Sequence, residues 1–303
     1  MSVVAVGSVA FDSIETPIGK VERAIGGSAT YFSLAASYFM PVNLVGVVGD
    51  DFLDDHRSVL LERKIDLEGL SVVSGGKTFY WQGKYGQDPN DRETLQTELN
   101  VFESFRPSLP AAYRQAEWLF LGNIDPEIQL EVIEQVEGRP LVGCDTMNFW
   151  IERKPDKLLA VLRHVDVFFI NDSEARLLSG NINLVSAART ILEMGPTAVV
   201  IKKGEHGAFL FTENFRVFAP AYPLEEVVDP TGAGDSFAGG FIGYLAKAGG
   251  LHELNLRRAM YYGTITASFT CESFSVGRLK SLSEEDITGR FKALVDLVHV
   301  QLE

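Results

Sequence analysis

The 303-residue chain holds only two cysteines, Cys144 and Cys271. Two isolated thiols give no paired metal-ligand spacing, which excludes a cysteine metal centre and points to a cytosolic protein with reduced thiols. Positive charge is also scarce. Lys and Arg number 27 against 41 Asp and Glu, a formal charge of −14. Nucleic acid and anionic membrane are therefore poor partners, since both need basic patches, and any bound phosphates must be held locally by amides, a few cations and a metal. No apolar run is long enough to span a membrane. The apolar start Val3–Val6 has no basic residue before it and is broken by Gly7, so it reads as a first strand and not as a signal peptide. Linkers, repeats and low-complexity stretches are missing as well. What remains is a globular composition, 46% apolar and 22% charged, long enough to bury a sizeable core.

The pattern of that core is α/β. Apolar runs at Val3–Val6, Val42–Val48, Trp118–Leu121, Leu141–Cys144, Val165–Ile170 and Ala198–Ile201 predict strands. From residue 117 they alternate with helical patterns at about 126–137, 155–163 and 184–194. Strands that are apolar throughout, alternating with helices, predict a parallel sheet covered on both faces. Residues 72–107 differ: they are aromatic and β-prone, with a turn cluster at Asp88–Asp91, and predict strands outside the main sheet. The expected organisation is one domain over residues 1–303, with a β lid from about 13–25 and 72–107.

The stretch from Asp229 to Phe237 carries the chemistry. An apolar strand end runs through Pro230, Thr231, Gly232, Ala233 and Gly234 into a helix with Phe237, Phe241 and Leu245 on one face. A helix start exposes unpaired N–H groups and partial positive charge, so it attracts anions. Small residues let an oxygen-rich ligand approach those amides. Asp235, in the first turn, is placed to accept a proton from a hydroxyl where negative charge builds beside the amides. Together these are the parts needed to move a phosphoryl group onto an alcohol; a Gly-rich turn that merely caps a helix is the bland alternative.

Other candidates lie at strand ends, where ligands bind in open parallel sheets. Asp12 offers two acceptor oxygens to sugar hydroxyls, or is a solvated turn residue. Gly26 and Gly27 let backbone touch a substrate, or cap a helix. Asn123 and the Asp145–Asn148 segment are substrate or phosphate candidates, and turn residues otherwise. Asn171 and Glu174 read both as a capping segment and as groups that hold magnesium, directly or through water. Lys203 is a phosphate-neutralising candidate or part of a solvated turn.

The string Asp-Pro-Thr-Gly-Ala-Gly-Asp-Ser-Phe-x-Gly-Gly-Phe, with Gly26-Gly27, Asn171-x-x-Glu174 and Gly204-x-x-Gly207, resembles the signatures of the ribokinase, or PfkB, family of carbohydrate and nucleoside kinases. The resemblance covers nearly the whole chain. It implies a three-layer sandwich with a mainly parallel central sheet and a small β-sheet lid that excludes water from the transferred group. It implies ATP as donor and Mg2+ organised through Glu174 and Asn171. Lys203, Gly204, Gly207 and Thr231 then lie at the nucleotide, Asp12, Gly26, Gly27 and Asn123 at the acceptor, and Asp235 with Gly232, Ala233 and Gly234 at the reacting group. Asp229 implies a monovalent cation such as K+, and the loop Cys271–Gly277 covers adenine. Ala10 and Tyr31 stand where ribokinases carry Asn, which shifts the expected acceptor from ribose toward a nucleoside or cyclitol stacked on Tyr31. Pairing of two lids would give a homodimer. The alternatives are a catalytically silent sensor on the same fold and a dinucleotide-dependent dehydrogenase; the latter lacks a third glycine after Gly234 at the required spacing.

Overall fold

A computed structural model describes residues 2–299. In chain order the elements are β1 (Val3–Val6), β2 (Ala10–Thr16), β3 (Gly19–Gly26), α1 (Ser28–Ala36), β4 (Val42–Gly49), α2 (Asp54–Leu61), β5 (Asp66–Val73), β6 (Phe79–Tyr85), β7 (Arg92–Glu98) and β8 (Trp118–Leu121). There follow α3 (Pro126–Gln135), β9 (Leu141–Asp145), α4 (Asn148–Arg153), α5 (Pro155–Leu162), β10 (Val167–Asn171), α6 (Asp172–Ser179), α7 (Leu184–Glu193), β11 (Ala198–Lys202), β12 (Ala208–Thr212), β13 (Arg216–Ala219), α8 (Ala233–Ala248), α9 (Glu253–Thr270) and α10 (Glu284–Val298).

Nine strands form one sheet in the order β13-β12-β11-β10-β9-β8-β1-β4-β5. Pairing is parallel except at β11-β12 and β12-β13. Successive side chains of a strand point to opposite faces, and here each face is covered. Val3, Ala5, Phe120 and Phe169 join a core with α1, α8 and α9. Val4, Val6, Leu121 and Phe168 join a second core with α3, α5 and α7. Burial on both sides is why the strands read as unbroken apolar runs. Helix α8 lies close against α1: a Cβ on Gly239 would stand 2.4 Å from the Phe32 carbonyl oxygen. Only glycine allows that approach, and it fixes where the first turn of α8 points. No helix among the described residues is long and apolar enough to cross a membrane.

A separate four-stranded sheet has the order β3-β2-β6-β7. Its limits correct the expected lid. The sheet begins at Ala10 and takes in Gly26, while Val72 and Val73 belong to β5, paired with Val48 and Gly49 at the edge of the main sheet. Residues 100–104 form a 3-10 turn, and Val101 and Phe105 pack into the main core. The β-prone composition of 72–107 marks strands correctly but cannot say which sheet they join, because that depends on long-range register.

Candidate active site

The C-terminal strand ends of the main sheet and one face of the small sheet enclose a cleft. The first turn of α8 opens into it. Gly232 takes φ 77° as N-cap, the left-handed region that glycine enters without steric cost. Ala233 N–H donates to the Pro230 carbonyl at 3.2 Å, so this amide is engaged within the turn and is not a free donor as expected. The N–H groups of Gly232 and Gly234 have no such partner among the described residues. Asp235 is half-buried beside them. Burial and then the Asp145 charge raise its carboxyl to about 7, against the lowering pull of Lys202 and Arg92.

Asp12, on β2, is 4% exposed. Burial, Asp229 and Asp235 raise its carboxyl to about 7, while the Gly27 N–H and Arg92 draw it down. The two glycines serve this carboxylate. A Cβ on Gly26 would lie 1.9 Å from Asp12 Oδ2, and Gly27, at φ 94°, starts α1. The first two α1 amides are engaged: Ser28 N–H donates to Ser8 Oγ at 3.0 Å and Ala29 N–H to the Ser8 carbonyl at 3.0 Å. Gly26 and Gly27 therefore make room for Asp12 and the Ser8 turn. The ring of Tyr31 is 1% exposed and packs under Gly232, whose missing Cβ would stand 2.4 Å from it. It is thus no open stacking face. Its hydroxyl is buried without a partner, among Asp12, Asp229, Tyr85 and Asp235.

Asn171 and Glu174 form a capping box at the start of α6. Glu174 N–H donates to Asn171 Oδ1 at 2.8 Å, and Asn171 N–H to Glu174 Oε2 at 3.0 Å. Burial, with Asp145 adding to it, raises the Glu174 carboxyl to about 7. One Glu174 oxygen is left for a ligand. No group of three or more His, Cys, Asp or Glu side chains among the described residues forms a metal cage. Magnesium held chiefly by water and phosphate oxygens fits such a site without one.

Four of the expected contact residues have partners within the fold. Lys203 Nζ lies over the Phe209 ring at 5.5 Å and lines a cavity with Glu205 and His206; the lysine beside Asp145 is Lys202, 2.6 Å from Asp145 Oδ2. Strand parity could have found it, because Lys202 shares the side of Ala198 and Val200, which face the α8 core. Asn123 Oδ1 accepts from Trp150 Nε1 at 3.0 Å and braces α4. Asp229 is fully buried, and its two oxygens accept the N–H groups of Thr231 at 2.9 Å and Ser275 at 3.1 Å. It ties the turn to the 271–277 loop. Thr231 Oγ1 bonds the Tyr85 hydroxyl of the small sheet at 3.0 Å.

The small sheet closes over all of this. Tyr85 reaches Thr231, and Asn90 touches Gly204, where a Cβ would meet Asn90 Oδ1 at 1.9 Å. Gly207, at φ 77°, packs on the Ala219 carbonyl, which sets the Gly204–Gly207 turn against β13. Arg92, whose guanidinium lies over the Trp81 ring at 5.3 Å, is near enough to draw down the carboxyls of Asp12, Glu174 and Asp235. Nothing in its sequence neighbourhood, a polar turn, marks it.

A chain of this length with paired carboxylates, an open helix start and a closing sheet has known counterparts. The chain is similar to the cytidine kinase of Thermococcus kodakarensis, 31% identical over 269 residues that cover 86% of this chain and 95% of that protein. Its fold is similar to the nucleoside kinase of Methanocaldococcus jannaschii, with a TM-score of 0.77 at 20% identity over 96% of this chain and 98% of that one. A ribokinase II candidate from E. coli, solved with ATP and Mg2+, gives 0.79 at 18% identity over 98% and 99%. The family model for pfkB family carbohydrate kinase matches residues 2–281. The chain belongs to the pfkB family of carbohydrate kinases.

Proposed function

We propose that this kinase transfers the γ-phosphoryl group of ATP to a hydroxyl of a nucleoside, with Asp235 as the base. The observation that carries the proposal is the position of Asp235, in the first turn of α8, beside N–H groups without partners and facing the same cleft as Asp12. The similarity to a cytidine kinase supports a nucleoside over a free sugar.

In this reading Asp12 accepts hydrogen bonds from hydroxyls of the acceptor. Asp235, ionised above about pH 7, takes the proton of the attacking hydroxyl as its oxygen bonds to phosphorus and the bond to the ADP oxygen breaks. The Gly232 and Gly234 N–H groups donate to the oxygens on which charge builds. Magnesium, held at Glu174 and Asn171 with water, supplies charge neutralisation to the phosphates when bound. The Gly204–Gly207 turn lies against the nucleotide, and the lid, latched by Tyr85 on Thr231, keeps water from competing with the acceptor. The lid edge β7 is exposed along its whole length, and pairing of two such edges is the dimer expected here; light scattering at micromolar concentration tests it.

The assay is ADP release with magnesium and ATP over cytidine, adenosine, inosine, ribose, fructose and inositol. The reading expects turnover with at least one nucleoside well above that with free sugars, and loss of turnover in Asp235→Asn. Turnover confined to sugars would overturn the nucleoside assignment; an active Asp235→Asn would overturn the base.

A further inference from the structure

Two lysines stand side by side at the end of β11, and the fold sends them opposite ways. Lys203 goes outward to Phe209. Lys202 runs inward past the end of β10 to Asp145 on β9, with side chains 18% and 6% exposed. A buried ion pair of this kind adds little net stability, because desolvation of both charges offsets their attraction. Its location is more telling. A Cβ on Gly234 would lie 3.1 Å from the Lys202 ammonium, so the ammonium stands beside the unpartnered N–H groups at the start of α8. Glu174 and Asp235 face the same ammonium. Lysine carries three N–H donors, and Asp145 takes one.

Resting on the kinase reading above, the geometry points to Lys202 as a phosphate ligand of the reacting centre, one that holds oxygens of the ATP γ-phosphoryl group against the α8 amides. Asp145 is its counter-ion in the free protein and keeps it extended into the cleft. A lysine that only balanced Asp145 would become dispensable once Asp145 was neutral; a phosphate ligand would not.

Equilibrium binding of AMP-PNP and of ADP, each with magnesium, to wild type, K202M, K202R and the double variant K202M/D145N separates these roles. The double variant removes both charges of the ion pair at once, so neither Lys202 nor Asp145 is left buried without its partner. Loss of a charged hydrogen bond to the γ-phosphoryl group weakens AMP-PNP about tenfold or more, with ADP nearly unchanged. That loss is expected in K202M and in the double variant, with K202R recovering most of it. A wild-type ratio of the two affinities in the double variant, or an equal loss for both nucleotides, overturns the proposal. D235N, measured alongside, should bind AMP-PNP as wild type does while losing turnover, so failure of the base assignment and failure of the Lys202 assignment give different results.

Discussion

Replacing Asp12 by Asn tests the electrostatics of the cleft most directly. The carboxyl is raised from 3.8 to about 7 by burial first and by the Asp229 charge second. The unfolded chain gives up this proton near the ordinary aspartate value, about 3.9, and the folded chain holds it to about 7. The folded state therefore binds more protons across that window. Stability from this group is complete below about pH 4 and falls as pH rises toward 7. The full gap of about 3 pKa units corresponds to about 4 kcal/mol at alkaline pH, and the first unit, traversed by about pH 5, to roughly 1.5 kcal/mol. Asn keeps the shape and cannot ionise. The stability advantage of Asp12→Asn over wild type should thus grow by roughly 2.5 kcal/mol between about pH 5 and pH 8.5. At roughly 2 °C per kcal/mol for a chain of this size, that is roughly 5 °C in Tm. Thermal melts of both proteins without ligand, at the two pH values, measure it. An advantage that is equal at both pH values, or a loss of stability at pH 8.5, would refute the assignment of Asp12 as an ionised group held against its surroundings. The same variant should bind the acceptor poorly, since function here requires a charge that the fold alone disfavours.

Asp235→Asn should lower kcat by about 10²–10⁴-fold with ATP binding close to wild type; steady-state rates and calorimetry check both. Because burial raises the Asp235 carboxyl to about 7, kcat should fall with acidification below that value and level off above it. A profile that stays flat down to pH 5 would contradict an ionised base. Gly26→Ala drives a Cβ into the Asp12 carboxylate and should raise the acceptor KM about tenfold or more while leaving the ATP KM near wild type. Tyr85→Phe removes the bond to Thr231, a loss of about 0.5–1.5 kcal/mol. It should loosen the lid and increase ATP hydrolysis without acceptor relative to transfer.

Much of this was legible in the chain because the relevant signals are local. Phe168 and Phe169 fill opposite cores from adjacent positions, and such strands can only read as continuous apolar runs. The start of α8 was legible because Gly232, Gly234 and Asp235 sit within one turn, and the capping box of Asn171 and Glu174 spans three residues. What the chain hid is set by partners far apart in sequence. Tyr31 looked like a ligand face because its packing partner, Gly232, lies 201 positions away. The bond from Thr231 to Tyr85 was hidden because Tyr85 arrives on another sheet. The second N–H on Asp229 comes from Ser275, 46 positions on. Lys202 and Lys203 are the instructive case between these extremes. Composition cannot separate two adjacent lysines, yet a strand turns neighbouring side chains to opposite faces. With Ala198 and Val200 facing α8, only Lys202 can enter the cleft. The alternation that builds the core thus also selects which charge meets the phosphate, and shifting β11 by one residue against β10 would bring in Lys203 and send Lys202 out to solvent.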